Sequence, residues 1–433
     1  MMNDKRLYKN IGINVILKPL TMLLSMIYIP VLLDYLGDEK YGVWATISAF
    51  VNWFSVFDIG IGNGMRNKLA ESLAAGDDQK SGEIVATSYA VISVISVCIF
   101  GCFWVISLLI DLPTFLNISI AGENVRLAVW ITVLFICINF VLSLGNTITY
   151  SMQQPALASV CGLFLHILNI IFVLLCRAFR PADMVLISLT LGSSSVIVNG
   201  ILNIYIFRKY PYLRLQKNKF NRELIHSITS LGILFFCGQI SALVMNSTDN
   251  ILISKLFTAS DVTPYSVAYK LFMVFVQLQG VVIMPMWSAF TNAKVQGEYK
   301  WICEKFNKMQ WIAVVLSVGI FMLFILIEPI SRLWLGHAID YSSNMLFVMA
   351  VYFIIYLFSG NYASFLCGIG DVKLYSVMAL TSALLNIPLS IMFAKFMNLG
   401  LTGIILGTLV SQIPYALLIG WRATYHMKRF RGR

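Results

Sequence analysis

The chain has 433 residues, of which 59% are apolar and only 12% are charged. Soluble domains carry about a quarter of charged residues, so the composition excludes an ordinary soluble protein and a disordered chain. The net charge is +11, but an excess of Lys and Arg in so apolar a chain is typical of segments at a membrane surface. We therefore expect an integral membrane protein whose partner is the lipid bilayer, with no nucleic-acid partner.

Apolar segments of spanning length recur along the whole chain and predict twelve transmembrane helices. Charged residues, Gly or Pro separate the segments, and no connection is long enough to be a folded domain. The predicted fold is therefore an all-α polytopic membrane protein. The expected spans are 11–33, 42–62, 84–110, 126–150, 157–176, 184–207, 228–253, 263–290, 309–330, 344–368, 376–397 and 402–421.

Basic residues are unevenly distributed over the predicted connections. Of the 31 Lys and Arg residues, 22 lie in connections on the same side as the N-terminus, and 7 lie in the connections on the other side or at the span ends next to them. Because cytoplasmic segments carry this excess, we expect both termini in the cytoplasm. The most basic connection predicts an N-terminal six-helix bundle at 1–207, a basic cytoplasmic linker at 208–226 and a C-terminal six-helix bundle at 227–433.

Three short matches relate the two predicted halves at offsets of 215, 217 and 215 residues. They pair Gly145-Asn146 with Gly360-Asn361, Leu168-Asn169-Ile170 with Leu385-Asn386-Ile387, and Gly192 with Gly407. The near-constant offset favours a parallel pseudo-two-fold repeat with a substrate path between the halves. A chance match in a chain rich in Leu and Ile is the alternative.

The first predicted span carries a polar stripe at helical spacing, formed by Asn14, Lys18, Thr21, Ser25 and Tyr28. A charge inside a span costs at least about 2.5 kcal/mol, so this face is expected to line a cavity. A polar seam between helices is the alternative.

The second predicted span ends on Asp58 and continues into a glycine-rich stretch that contains Gly60, Gly64 and Arg66. Glycines at this spacing permit a close backbone approach or a left-handed turn. The pattern is not that of a phosphate-binding P-loop.

The second half has a comparable polar stripe that includes Lys270 and Gln277, beside a span that carries Asp249. Their depths predict one ion pair between Lys18 and Asp58 and another between Asp249 and Lys270. These pairs are either static bridges or gates that release the lysines to an anionic group, since Lys binds phosphate as a mobile point charge. Two tyrosines one turn apart, Tyr265 and Tyr269, are candidates for stacking on sugar rings.

No pattern in the sequence indicates an enzyme or a metal site. The His and Cys residues are scattered, which predicts neither a disulfide framework nor a metal centre. A spaced carboxylate pair for general acid–base catalysis is also missing from the predicted outer connections.

Two motifs resemble bacterial polysaccharide repeat-unit flippases. They are Tyr35-Leu36-Gly37 followed by Tyr41-Gly42-Val43-Trp44, and the segment from Asp58-Ile59-Gly60 through Arg66-Asn67-Lys68 to Glu71. The regions around Thr248-Asp249-Asn250 and Tyr265 to Lys270 are similar to the seventh and eighth helices of that family. These are the O-antigen and capsule flippases of the MATE-like multidrug/oligosaccharidyl-lipid/polysaccharide exporter superfamily.

The resemblance implies two bundles that alternate access and carry an undecaprenyl-pyrophosphate-linked oligosaccharide across the bacterial inner membrane. It implies a cationic lumen, for which Lys18, Lys270 and Arg66 are the candidates. Coupling to H+ or Na+ would involve Asp58 or Asp249, with no other cofactor. A polysaccharide polymerase and a chain-length regulator are the further partners it suggests.

Other functions stay open at this point. A multidrug cation antiporter of the same superfamily is the nearest alternative, although each polar stripe pairs one Lys with one Asp and is not acidic. A peptidoglycan-precursor flippase usually has two further helices. A membrane glycan polymerase or glycosyltransferase is less favoured, because the outer connections are short.

Overall fold

The computed structural model describes residues 4–52, 60–112, 124–257, 261–335 and 339–432. These residues are almost entirely helical. The helices are α1 (Asp4–Asn52), α2 (Ile61–Ala74), α3 (Asp78–Leu109), α4 (Val125–Ser151), α5 (Pro155–Phe179), α6 (Met184–Lys209), α7 (Arg222–Leu256), α8 (Val262–Val295), α9 (Tyr299–Leu335), α10 (Ser343–Gly368), α11 (Val372–Ile391) and α12 (Gly400–Arg431).

Eleven helices among the described residues are long and apolar enough to cross a membrane. They correspond to the first predicted span and to the third through twelfth. The second predicted span, 42–62, falls partly on residues 53–59, which lie outside the described ranges. The fold is thus the predicted all-α polytopic membrane protein.

The break between the first two predicted spans differs from the expected loop. Here α1 continues through it and departs from helical geometry at Gly37, where φ is 72° and ψ is 168°. Such a backbone conformation suits glycine because it has no Cβ. The chain therefore turns at a single residue, whereas the sequence predicted a connection over residues 34–41.

The chain divides into two compact units, Met1–Phe236 and Cys237–Arg433. In the first unit, α4 packs on α6 and α1 packs on α5. Two apolar cores form among the described residues of this unit, one around Leu32 and Val129 and the other around Met65 and Leu144. In the second unit, α12 packs on both α10 and α11 around a core that includes Phe272 and Phe353.

The glycine-rich stretch before and within α2 allows a close approach to the beginning of α7. A Cβ on Gly60 would lie 2.3 Å from the carbonyl oxygen of Gly232, and one on Gly64 would lie 2.7 Å from that of Ile228. Gly60 also has a φ of 64°. Both roles expected for these glycines, the close approach and the left-handed turn, are confirmed.

The basic segment between α6 and α7 folds against the first turns of α3. It contains two short 3₁₀ turns, and Asn221 donates a hydrogen bond from its side chain to Glu83 at 2.9 Å. The Asn221 backbone N–H also donates to Thr87 at 3.0 Å. Polar contacts therefore fix this segment on the first unit.

Candidate functional site

A buried carboxylate, Asp249 of α7, is the centre of a polar network inside the second unit. Its side chain is 3% exposed. It accepts hydrogen bonds from Tyr265 of α8 at 2.5 Å and from Thr408 of α12 at 3.1 Å. The amide of Asn386 on α11 donates to Thr408 at 2.8 Å. One acidic group thus links four helices without an ion pair to any described residue.

The predicted ion pair between Asp249 and Lys270 is wrong for this structure. Lys270 is exposed, whereas Asp249 faces the interior and is bound by two hydroxyl groups. Among the described side chains, no carboxylate lies within ion-pair distance of the Lys270 ammonium. Similar depth in the bilayer does not make two residues neighbours when they lie on different faces of their helices.

Tyr265 and Tyr269 form part of the packed interior of the second unit. Tyr265 is 1% exposed and stacks on Tyr269 with ring centroids 6.2 Å apart. The Tyr269 ring in turn meets the Phe353 ring edge-on at 5.0 Å. In this conformation Tyr265 offers no open ring face to a sugar.

Gln277, the last residue of the predicted stripe, is exposed, and the buried amide of α8 lies two residues later. Gln279 donates to Asn361 at 2.8 Å, and Asn361 donates to Gln310 of α9 at 3.1 Å. The stripe therefore marks the outer face of α8, while the helix packs through Gln279.

The first predicted stripe is described only in part. Asn14 is 4% exposed, and its side-chain oxygen has no hydrogen-bond partner among the described residues. Tyr28 is half-buried and packs on the apolar core around Leu32. Of Lys18 only the backbone, within α1, is described.

Asp58 lies outside the described residues. Its predicted ion pair with Lys18 therefore stays a prediction.

Arg66 of α2 is buried rather than open to solvent. It is 3% exposed, and its guanidinium carbon lies 5.2 Å from the centroid of the Tyr150 ring. This is cation–π geometry. The hydroxyl of Ser151 donates to the Arg66 backbone oxygen at 3.2 Å, so α2 is fixed to the end of α4.

The first unit contains a row of buried and half-buried amides between α4 and α6 that was not predicted from the sequence. Asn146 donates to Asn199 at 2.9 Å, and Asn199 donates to Asn139 at 2.7 Å. One turn further, Asn203 donates to the Leu142 backbone oxygen at 2.7 Å and accepts from Tyr89 of α3. We call Asn139, Asn146, Asn199 and Asn203 the amide row.

The sequence contained a signal for the amide row. Asn199 and Asn203 are four residues apart and Asn139 and Asn146 are seven apart, so each pair lies on one helix face. Thr408 gave no comparable signal, because a single hydroxyl in an apolar helix often bonds its own backbone.

Comparison with known proteins gives two family matches. The family described as polysaccharide biosynthesis protein matches residues 7–291, which is more than half of the chain, and the family described as MatE matches residues 235–392. A putative O-antigen transporter of Salmonella typhi is 24% identical, over 92% of this chain and 90% of that protein. A putative O-antigen export protein of Yersinia pseudotuberculosis is also 24% identical, over 91% and 89%.

Solved structures with the same fold include MATE transporters and another transporter of the MOP superfamily. A MATE structure in a straight conformation has a TM-score of 0.80 at 13% identity and covers 99% of this chain and 97% of that one. A MOP superfamily transporter from Pyrococcus furiosus has a TM-score of 0.76 at 15% identity, with 98% and 95% covered. At these identities the similarity shows the fold alone, which is the MATE fold.

Proposed function

The chain belongs to the polysaccharide biosynthesis protein family, and we propose that it is a flippase for a lipid-linked oligosaccharide. In this proposal an undecaprenyl-pyrophosphate-linked repeat unit of an O-antigen, capsule or exopolysaccharide moves from the cytoplasmic to the periplasmic leaflet. Two six-helix bundles alternate access to it in the bacterial inner membrane, and both termini face the cytoplasm.

One observation carries the proposal. The family match is joined by relatives named as O-antigen transporters that align over about nine tenths of both chains. The similarity therefore extends over most of the membrane-length helices rather than over one shared segment. Names of this kind also favour a transporter over a membrane glycan polymerase or glycosyltransferase.

We assign the binding of the pyrophosphate to Lys18, Lys270 and Arg66. The exposed ammonium of Lys270 supports this assignment, because none of the described carboxylates neutralises it. In a low-dielectric surrounding the attraction between an ammonium and a phosphate is stronger than in water. Asn14, Tyr28 and Gln277 would provide uncharged polar contacts on the same path.

We assign ion coupling or gating to Asp249, with Asp58 as its counterpart in the first unit. A buried carboxylate is costly unless a cation, a proton or strong hydrogen bonds compensate it. Asp249 has two hydroxyl donors and no cationic partner among the described residues. This environment supports the binding of H+ or Na+ during transport.

The fate of the lipid-linked glycan in a deletion strain tests the proposed function. Undecaprenyl-linked repeat units are extracted and assigned to a leaflet with a membrane-impermeant glycosidase. Their accumulation on the cytoplasmic side, with loss of surface polysaccharide, is the expected result. Normal surface glycan and no trapped intermediate would refute it and favour a multidrug cation antiporter, which a drug-sensitivity panel would reveal.

Complementation of the same strain tests the assigned residues. Lys270→Ala and Asp249→Asn should each abolish surface polysaccharide at normal protein levels. Lys373→Ala removes another exposed lysine of the second unit and should complement fully. Full complementation by Lys270→Ala would refute the role of its ammonium.

A further inference from the structure

A cavity of about 90 Å³ lies inside the second unit, between α7, α10, α11 and α12. A water molecule needs about 10–15 Å³ of such space, so several fit. The lining mixes polar and apolar groups and contains no ionisable acid or base other than tyrosine. Its polar side chains are Tyr356, Tyr375, Tyr415, Gln412, Ser382 and Ser241. We call this space the tyrosine cavity.

The hydrogen-bonding groups of the tyrosine cavity are largely unused. Within the described part of the chain, the hydroxyls of Tyr356, Tyr375 and Tyr415 have no hydrogen-bond partner. Ser382 donates to the side-chain oxygen of Gln412 at 3.3 Å, which leaves the two amide N–H donors of Gln412. Tyr415 is buried, and Tyr356 and Tyr375 are half-buried. Phenols in such surroundings normally find a partner, so the molecules inside the cavity, water or a ligand, have to supply several hydrogen bonds.

The backbone of α7 makes room for one of these phenols. A Cβ on Gly238 would lie 2.6 Å from the Tyr375 hydroxyl oxygen, so glycine at this position lets the phenol lie against the helix. The rings of Tyr375 and Tyr415 are 6.3 Å apart and inclined at 60°. Tyr415 is only 8% exposed, whereas Ala242 is exposed, so the cavity opens at the surface of the second unit.

We infer that the tyrosine cavity binds one uncharged sugar residue of the transported oligosaccharide; the identity of that ligand rests on the proposed function. Sugar hydroxyls both donate and accept, as the phenols and the Gln412 amide require, and aromatic rings offer faces to the C–H groups of a sugar. A phosphate or carboxylate would be buried without a counter-charge, which is costly. An alkyl chain would leave the phenols unpaired. The charged end of the substrate therefore binds elsewhere.

Saturation-transfer NMR on the full-length protein in nanodiscs tests the cavity directly. The probes are glucose, galactose, N-acetylglucosamine and glucuronate. The three neutral sugars should receive saturation from wild type, and glucuronate should receive at least fivefold less. In the double variant Tyr375→Phe/Tyr415→Phe, the saturation transferred to the neutral sugars should fall at least fivefold. Tyr362→Phe, on α10 but outside the cavity lining, is the matched control and should behave like wild type. Absent signals from all neutral sugars, or equal signals in wild type and the double variant, would overturn the inference.

A second measurement separates this inference from the proposed function. Undecaprenyl pyrophosphate and the same lipid carrying N-acetylglucosamine are titrated against wild type and against the Tyr375→Phe/Tyr415→Phe double variant. Wild type should bind the sugar-bearing lipid about tenfold more tightly, and the double variant should bind both lipids equally. If the added sugar increased lipid affinity equally in wild type and in the double variant, the inference about the tyrosine cavity would be wrong, while the proposed flippase function would still hold. If wild type but not the double variant bound free neutral sugars, and neither protein bound either lipid, the result would support the inference about the tyrosine cavity and refute the proposed flippase function.

Discussion

Replacement of Gly60 by Ala provides a quantitative test of how the first unit is packed. The added Cβ would lie 2.3 Å from the Gly232 carbonyl oxygen and 2.8 Å from the Phe236 backbone nitrogen. Because backbone atoms cannot rotate away, α2 and α7 must separate, and overpacking of this kind costs about 1–3 kcal/mol. The left-handed backbone at Gly60 adds about 1–2 kcal/mol for a residue with a Cβ. We therefore expect a loss of about 2–5 kcal/mol in the free energy of unfolding.

Substitutions at two further glycines separate the cost of the close contact from the cost of the left-handed backbone. Gly76 has a φ of 73° and nothing within 4 Å of its added Cβ, so Gly76→Ala should cost only the backbone strain of about 1–2 kcal/mol. Gly101 is helical and has open space, so Gly101→Ala should gain up to about 1 kcal/mol from helix propensity. Denaturant titration of the detergent-purified proteins gives the three values. Equal losses for Gly60→Ala and Gly76→Ala would refute the close approach of α2 and α7.

Three other changes test separate features. Tyr89→Phe removes the hydrogen bond to Asn203, and the free energy of unfolding should fall by about 0.5–1.5 kcal/mol; no loss in a denaturant titration would show that the bond is unimportant. Burial raises the pKa of the Asp371 carboxyl, but hydrogen bonds from His426 and Arg422 outweigh it and hold that pKa below its usual value. A carboxyl group whose pKa is lower in the folded chain than in the unfolded chain stabilises the folded state at pH values above the unfolded pKa of about 3.9. This stabilisation is lost as the pH falls through the folded pKa. Thermal scans should thus show wild type losing more stability than Asp371→Asn below about pH 4, and parallel curves would contradict this. Thr408→Val leaves Asp249 one hydroxyl donor short and should lower both thermal stability and complementation, whereas wild-type behaviour in both assays would remove Thr408 from the site.

The sequence predicted the membrane-spanning helices well because their signal is local. Length and hydropathy of each segment suffice, and eleven of the twelve spans coincide with described helices. The same reasoning failed at Gly37, since a helix that turns at one residue has no loop composition to detect. It also gave no hint of α2, because most of that helix lies in the predicted connection between residues 62 and 84 and is too polar to resemble a span.

The candidate site was predicted less completely because its contacts join distant parts of the chain. Periodicity identified Asp249 and Tyr265 as notable, and the structure brings them into contact at 2.5 Å. Depth alone then suggested Lys270 as the partner of Asp249, whereas the direction of each helix face decides the pairing. Thr408 lies 159 residues from Asp249, and no spacing rule connects them.

The amide row has a consequence for how the first unit can vary and move. Apolar contacts between helices are hardly better than contacts with lipid tails, so α4 and α6 could slide past each other if only aliphatic side chains met. A shift by one residue would break the bonds of Asn139, Asn146 and Asn199 together. The row therefore sets the register of the two helices as a unit, and substitutions at these positions should be tolerated in combination rather than singly. A variant of this unit in which α4 and α6 pack in another register would have to replace the row as a whole.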